Sequence, residues 1–108
     1  MLDPLPTGQD LADFLAQGDD TDLVALGGQH VRTVTAMARA YTRGRGFTRT
    51  DCEDDIAAVI LTAAARLVGN PEQLKREEIG DYSVTPTPFQ GWSLAEAVVL
   101  NRYRRRAG

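Results

Sequence analysis

Asp55-Ile56-Ala57-Ala58-Val59-Ile60-Leu61-Thr62-Ala63-Ala64-Ala65-Arg66-Leu67-Val68 is apolar nearly all the way round a helix. Ile56, Val59, Ile60, Ala63 and Leu67 recur at helical spacing, with alanines filling the gaps. A helix without a polar face belongs in the centre of a bundle or against a second subunit. The stretch sets the fold class as mainly α: a small bundle of about four helices, one of them long and central. Thr50-Asp51-Cys52-Glu53 reads as the capping box that starts this helix, and Asn70-Pro71 stops it.

Upstream, residues 1–6 carry two prolines and read as an extended arm. Thr7 suits an N-cap, with Asp10 favourable near the helix dipole. Leu11, Phe14 and Leu15 form the apolar stripe of this first short helix, which Gly18-Asp19-Asp20 ends. A second, long helix is predicted from Asp20–Asp22 to about Arg43, its apolar positions Leu23, Leu26, Val31, Val34, Met37, Ala38 and Tyr41 following a helical period. Gly27 and Gly28 interrupt it at a cost of roughly 1 kcal/mol each relative to alanine. They admit another backbone, bend the helix or restart it. Arg43-Gly44-Arg45-Gly46-Phe47 is a turn.

Downstream, residues 71–79 read as a polar helical turn, and Asp81-Tyr82-Ser83-Val84-Thr85 is the one clear strand candidate. Tyr82 and Val84 share one face, and Asp81, Ser83 and Thr85 the other. Pro86 and Pro88 limit its ladder. No mate for it is legible elsewhere in the chain, and a lone strand is unstable. The segment 79–92 is therefore expected to serve assembly, with Asp81, Tyr82, Ser83, Val84 and Thr85 meeting a neighbouring subunit. Ser93-Leu94-Ala95-Glu96 is a second capping box and launches a last helix through Leu100 and Tyr103.

The 108 residues suffice for a single domain spanning 1–108, and a net charge of −3 argues against nucleic-acid binding by overall field. Cys52 is the sole cysteine, which excludes an intrachain disulfide or a thiolate cluster. No apolar run reaches membrane-span length and Met1-Leu2-Asp3-Pro4 does not resemble a signal peptide, so a soluble protein made in a cytoplasm is expected. His30, the only histidine, has no second ligand type beside it. Cys52 lies among Asp51, Glu53, Asp54 and Asp55, which disfavour its thiolate, and it reads as inert. Those carboxylates suit a helix start better than a cation site, and could also meet an arginine of an adjacent subunit. Gly44-Arg45-Gly46 is no phosphate loop. No catalytic, cofactor or metal residue emerges, and an enzyme is not expected. Arg102, Arg104, Arg105 and Arg106, interleaved with Tyr103, exceed what a helix end needs for its dipole and point to a contact with an acidic protein surface or nucleic acid.

The order of an alanine-rich helix, Asn70-Pro71-Glu72, Glu78-Ile79-Gly80-Asp81-Tyr82-Ser83-Val84, Ser93-Leu94-Ala95-Glu96-Ala97 and Arg102-Tyr103-Arg104 resembles the head–tail connector, or adaptor, proteins of long-tailed bacteriophages. The similarity runs from about Leu23 and is sharpest from Asn70 to Arg105. It implies a mostly helical structural subunit, without catalytic residues, forming a ring that is typically twelvefold. In the virion neck such a ring binds the portal above and a stopper or tail-completion protein below. Genomic DNA passes through its channel without sequence-specific contact. On this resemblance Arg102, Tyr103, Arg104, Arg105 and Arg106 would face the portal or the channel. The glycine pair and Pro86 and Pro88 depart from the family pattern. The competing reading is a small helical DNA-binding regulator, against which stand the acidic balance and the lack of a helix-turn-helix spacing.

Overall fold

A computed structural model describes residues 1–69 and 91–104. In chain order these form β1 (Leu2–Pro4), α1 (Gly8–Phe14), α2 (Thr21–Thr42), β2 (Asp51–Glu53), α3 (Asp54–Gly69) and a last helix, α4 (Leu94–Arg104). The architecture is a small helical bundle with a two-stranded sheet at one end.

The apolar stretch is the centre of the bundle, as its composition requires. Ile56, Val59, Ile60, Ala63, Ala64 and Leu67 of α3 are all buried, and Ala57, Leu61, Ala65 and Val68 are half-buried against the same core. α1, α2 and α4 each pack on α3. They contribute Leu11, then Val31, Val34 and Ala38, then Leu100.

α2 begins where its cap predicts. The Asp20 carboxylate accepts from the amides of Asp22 and Leu23 at 3.1 Å. The helix ends at Arg43, which turns left-handed with φ 60°, and the Gly44 amide closes the end on the Arg39 carbonyl at 2.8 Å. α1 is held by a reciprocal cap: Thr7 Oγ1 accepts from the Asp10 amide at 3.1 Å, and Asp10 Oδ2 accepts from the Thr7 amide at 2.9 Å.

α2 runs unbroken through the glycine pair, which admits the backbone of α1. A Cβ built on Gly8 would lie 2.2 Å from the Val24 carbonyl oxygen and 2.7 Å from the Gly28 nitrogen. Leu11, one turn later, lies against Gly27. Phe14, expected in the apolar stripe of α1, is instead 52% exposed. With α1 pressed so close to α2, Leu11 and Ala12 fill the inward positions.

The start of α3 corrects the sequence reading. Residues 51–53 are a strand, and the helix begins at Asp54. Thr48, not Thr50, organises the chain: its Oγ1 accepts from the amides of Asp51 at 2.9 Å and Thr50 at 3.3 Å. Glu53 does not reach back to cap a helix. Its amide bonds the Gly46 carbonyl at 2.9 Å and its carboxylate takes the Met1 ammonium at 2.9 Å. This leaves β2 extended, and the N-terminal arm pairs with it antiparallel: Leu2 opposite Glu53, Asp3 opposite Cys52, Pro4 opposite Asp51. A strand pair therefore exists outside Asp81–Thr85, the one clear strand candidate of the sequence. Pro4 suits an edge strand, where its missing amide breaks no ladder. The strand expected at Asp81–Thr85 and the turn expected at 71–79 lie outside the described residues.

Candidate docking surface on the last helix

α4 is fixed to the bundle by polar clamps at both ends. At the first, the predicted cap is present: the Glu96 amide donates to Ser93 Oγ at 3.1 Å, and the Ser93 amide to Glu96 Oε1 at 2.9 Å. The same carboxylate receives Arg66 of α3 in two parallel bonds, Nη1 to Oε2 and Nη2 to Oε1, each 2.8 Å. Such bidentate pairs are among the stronger charge-assisted contacts. The Thr62 hydroxyl also donates to Glu96, and Arg66 donates to the Gly91 carbonyl. Glu96 is only 5% exposed. Burial alone would push its pKa up, but the bonds from Arg66, Thr62 and the Ser93 amide outweigh it and hold the carboxyl below the ordinary glutamate value.

At the other end, Asp55 receives the Tyr103 hydroxyl at 2.7 Å and Arg102 Nη2 at 3.1 Å. The acidic start of α3 thus meets an arginine of its own chain, where an adjacent subunit was the alternative. Tyr103 packs over Gly46, whose φ of +82° and lack of a side chain make the room: a Cβ there would stand 2.5 Å from Ile56 Cδ1 and 3.0 Å from the tyrosine ring. Burial, then the Asp55 bond, pushes the Tyr103 phenol up to about 12. A raised folded pKa means that the stabilisation is complete below the ordinary tyrosine value and disappears as pH rises through about 12. In an ultraviolet titration one tyrosine should therefore resist ionisation until near that pH, and Tyr103→Phe should remove this late step while costing about 1 kcal/mol in denaturant unfolding. If all the tyrosines ionise together near pH ~10 in the folded protein, the Asp55 contact is not made in solution.

Where α4 meets α2, Asn101 Oδ1 accepts from the Tyr41 hydroxyl at 2.9 Å, and the Arg104 guanidinium stands 4.8 Å over the Tyr41 ring. The arginines expected to project to partners are thus partly engaged within the bundle, though Arg102 keeps 60% of its side chain exposed. Arg105 and Arg106 lie outside the described residues, as do Asp81, Tyr82, Ser83, Val84 and Thr85.

Among the described residues, the outward face of α4 is left exposed. Leu94 is 82% and Val98 56% exposed, one turn apart, followed by exposed Asn101 and Arg102 on the same side. An open groove of about 450 Å³ lies beside Val98, Asn101, Arg102 and Arg104. The surface combines an apolar stripe with guanidinium groups, the composition that suits a partner with acidic and apolar groups together.

The remaining titratable candidates offer no chemistry comparable to this. Burial, reinforced by Asp3, pushes the Cys52 thiol up to about 11, so it is not a nucleophile near neutrality. Burial lowers the His30 pKa, and its Nε2 has no hydrogen-bond partner among the described residues. Sequence reasoning missed the Arg66–Glu96 clamp, although an arginine one turn beyond Thr62 in an otherwise apolar helix was a signal for it. Comparison with protein-family models, curated proteins and solved structures finds nothing similar to this chain.

Proposed function

We propose that this chain is a structural subunit of a bacteriophage neck, an adaptor that forms a ring joining the portal at the capsid vertex to the stopper or tail and extends the DNA channel. The observation that carries the reading is the exposed Leu94–Val98 stripe running into Arg102 on a helix that the bundle clamps at both ends. A helix held rigidly with an apolar and basic face outward is suited to docking on another protein rather than to closing its own core. The small helical bundle built on α3 fits the same reading. Among the described residues no helix is long and apolar enough to cross a membrane. In this reading the protein resides in the virion, has no catalytic role, and gives Asp81–Thr85 to subunit contacts and Arg105 and Arg106 to the portal or channel.

The reading is tested by negative-stain imaging of the chain co-purified with its cognate portal protein. Rings of this subunit coaxial with the portal are expected. Absence of portal association, together with salt-dependent binding of duplex DNA by the chain alone, would replace the adaptor with the regulator.

A further inference from the structure

The charges of this molecule are sorted along its long helix. Residues 1–31 contain six aspartates and not one lysine or arginine. Five of them, Asp10, Asp13, Asp19, Asp20 and Asp22, are exposed around the corner where α1 meets the start of α2. At the other end of α2 the fully exposed charges are mostly guanidinium: Arg43, Arg45, Arg49, Arg102 and Arg104, with Asp54 the exposed carboxylate and Asp3, Asp51, Glu53 and Asp55 half-buried beside them. Asp55 and Glu53 at that end already hold Arg102 and the N-terminal ammonium. α2 spans about 33 Å from end to end, with exposed Arg32 partway along it. That is several times the Debye length of about 8 Å at physiological salt, so neither end neutralises the other within one molecule.

Each end also carries an exposed apolar anchor on a matching stripe. On α1, Phe14 lies one turn from Asp10, with Asp13 adjacent. On α4, Val98 lies one turn from Arg102 and borders the groove that Arg104 also lines. The groove is open rather than enclosing, so an aromatic ring would lie against it instead of being surrounded.

We infer that the occupant of the α4 groove is a second copy of this chain: Phe14 of one copy sits beside Val98 of the next, with Asp10 and Asp13 facing Arg102 and Arg104. Because the two faces differ, the contact is head-to-tail and each copy keeps one face free for another. The inference deepens the adaptor reading by naming the faces that meet, and it rests on that reading for closure into a ring.

Sedimentation velocity of the full chain tests it. The wild-type chain should self-associate with rising concentration, and added salt should weaken the association. Phe14→Ser and Val98→Glu each spoil one face and should each weaken self-association about tenfold or more. Both side chains are exposed, so unaltered thermal melts should accompany the loss. Mixed in equal amounts, the two variants should form heterodimers and nothing larger, since each still has the face that the other lacks. A wild-type chain that stays monomeric when concentrated, variants that associate like wild type, or a mixture that yields no heterodimer would each overturn the contact. Portal-bound rings that survive both substitutions sink the contact and leave the adaptor reading standing. Heterodimers from the mixed variants, with a wild-type chain that ignores the portal, uphold the contact and remove the adaptor reading.

Discussion

Gly8→Ala should lower the melting temperature by about 10 °C or more, a larger loss than a one-carbon change on a helix ordinarily brings. The cause is backbone, which cannot rotate out of the way. The new Cβ would stand 2.2 Å from the Val24 carbonyl oxygen and 2.9 Å from Gly28 Cα, so α1 must lift off α2 to admit it. Lifting α1 unseats Leu11, which is fully buried against Gly27 and the core. Overpacking of this kind costs about 1–3 kcal/mol, and partial exposure of Leu11 adds to it. Gly28→Ala is the control. Its Cβ would meet Gly8 Cα at 3.9 Å, an ordinary contact, and alanine favours a helix interior over glycine by about 1 kcal/mol. Gly28→Ala should therefore melt at or above the wild-type temperature. A Gly8→Ala protein that melts with wild type would show that α1 does not pack this closely in solution.

The glycine pair also shows where the sequence was legible and where it was not. The pair advertised a special requirement in α2, but its partner Gly8 sits unmarked between the Thr7 cap and Asp10. Periodicity marks an inward face without saying which backbone arrives there. α2 itself was readable at both ends, because Asp20 and the Arg43–Phe47 turn act through local hydrogen bonds. The Ser93–Glu96 cap was readable for the same reason.

The β1–β2 pair was not. Thr50 and Glu53 have the residue types of a capping box, and only the competing bonds of Thr48, Gly46 and the Met1 ammonium decide against it. Two of those partners are close in sequence, but β1 is about fifty residues away and carries no alternating pattern that would announce a strand. The candidate surface divides in the same way. Its basic residues could be read directly, while the engagement of Arg102 by Asp55 and of Arg104 by Tyr41 depends on how α4 lies across the bundle. Leu94 and Val98 are surface because Leu100, Glu96 and half-buried Val99 and Tyr103 take the inward side.

Arg66→Ala should cost about 2–3 kcal/mol near neutral pH, and the deficit should shrink on acidification. Removing the guanidinium leaves Glu96, 5% exposed, with only the Thr62 hydroxyl and the Ser93 amide to hold its charge. The Arg66 side chain is itself 40% exposed, which keeps the expected loss below that of a fully buried pair. In the wild-type protein the Glu96 pKa is lowered, so its contribution is present above the ordinary glutamate value and lost as pH falls through the lower folded value. In the variant, burial prevails over the remaining bonds and the pKa rises. The variant's carboxyl then takes up a proton as pH falls through that raised value, which relieves the buried charge. Urea unfolding at about pH 7 and about pH 4 should show the gap between the two proteins narrowing at the lower pH. Adding Glu96→Gln to Arg66→Ala should recover about 1 kcal/mol at neutral pH, since a neutral amide costs less to bury than an unpaired carboxylate. A gap that stays constant or widens towards acid, or a double variant weaker than Arg66→Ala alone, would show that Glu96 is not ionised and clamped at the junction of α3 and α4.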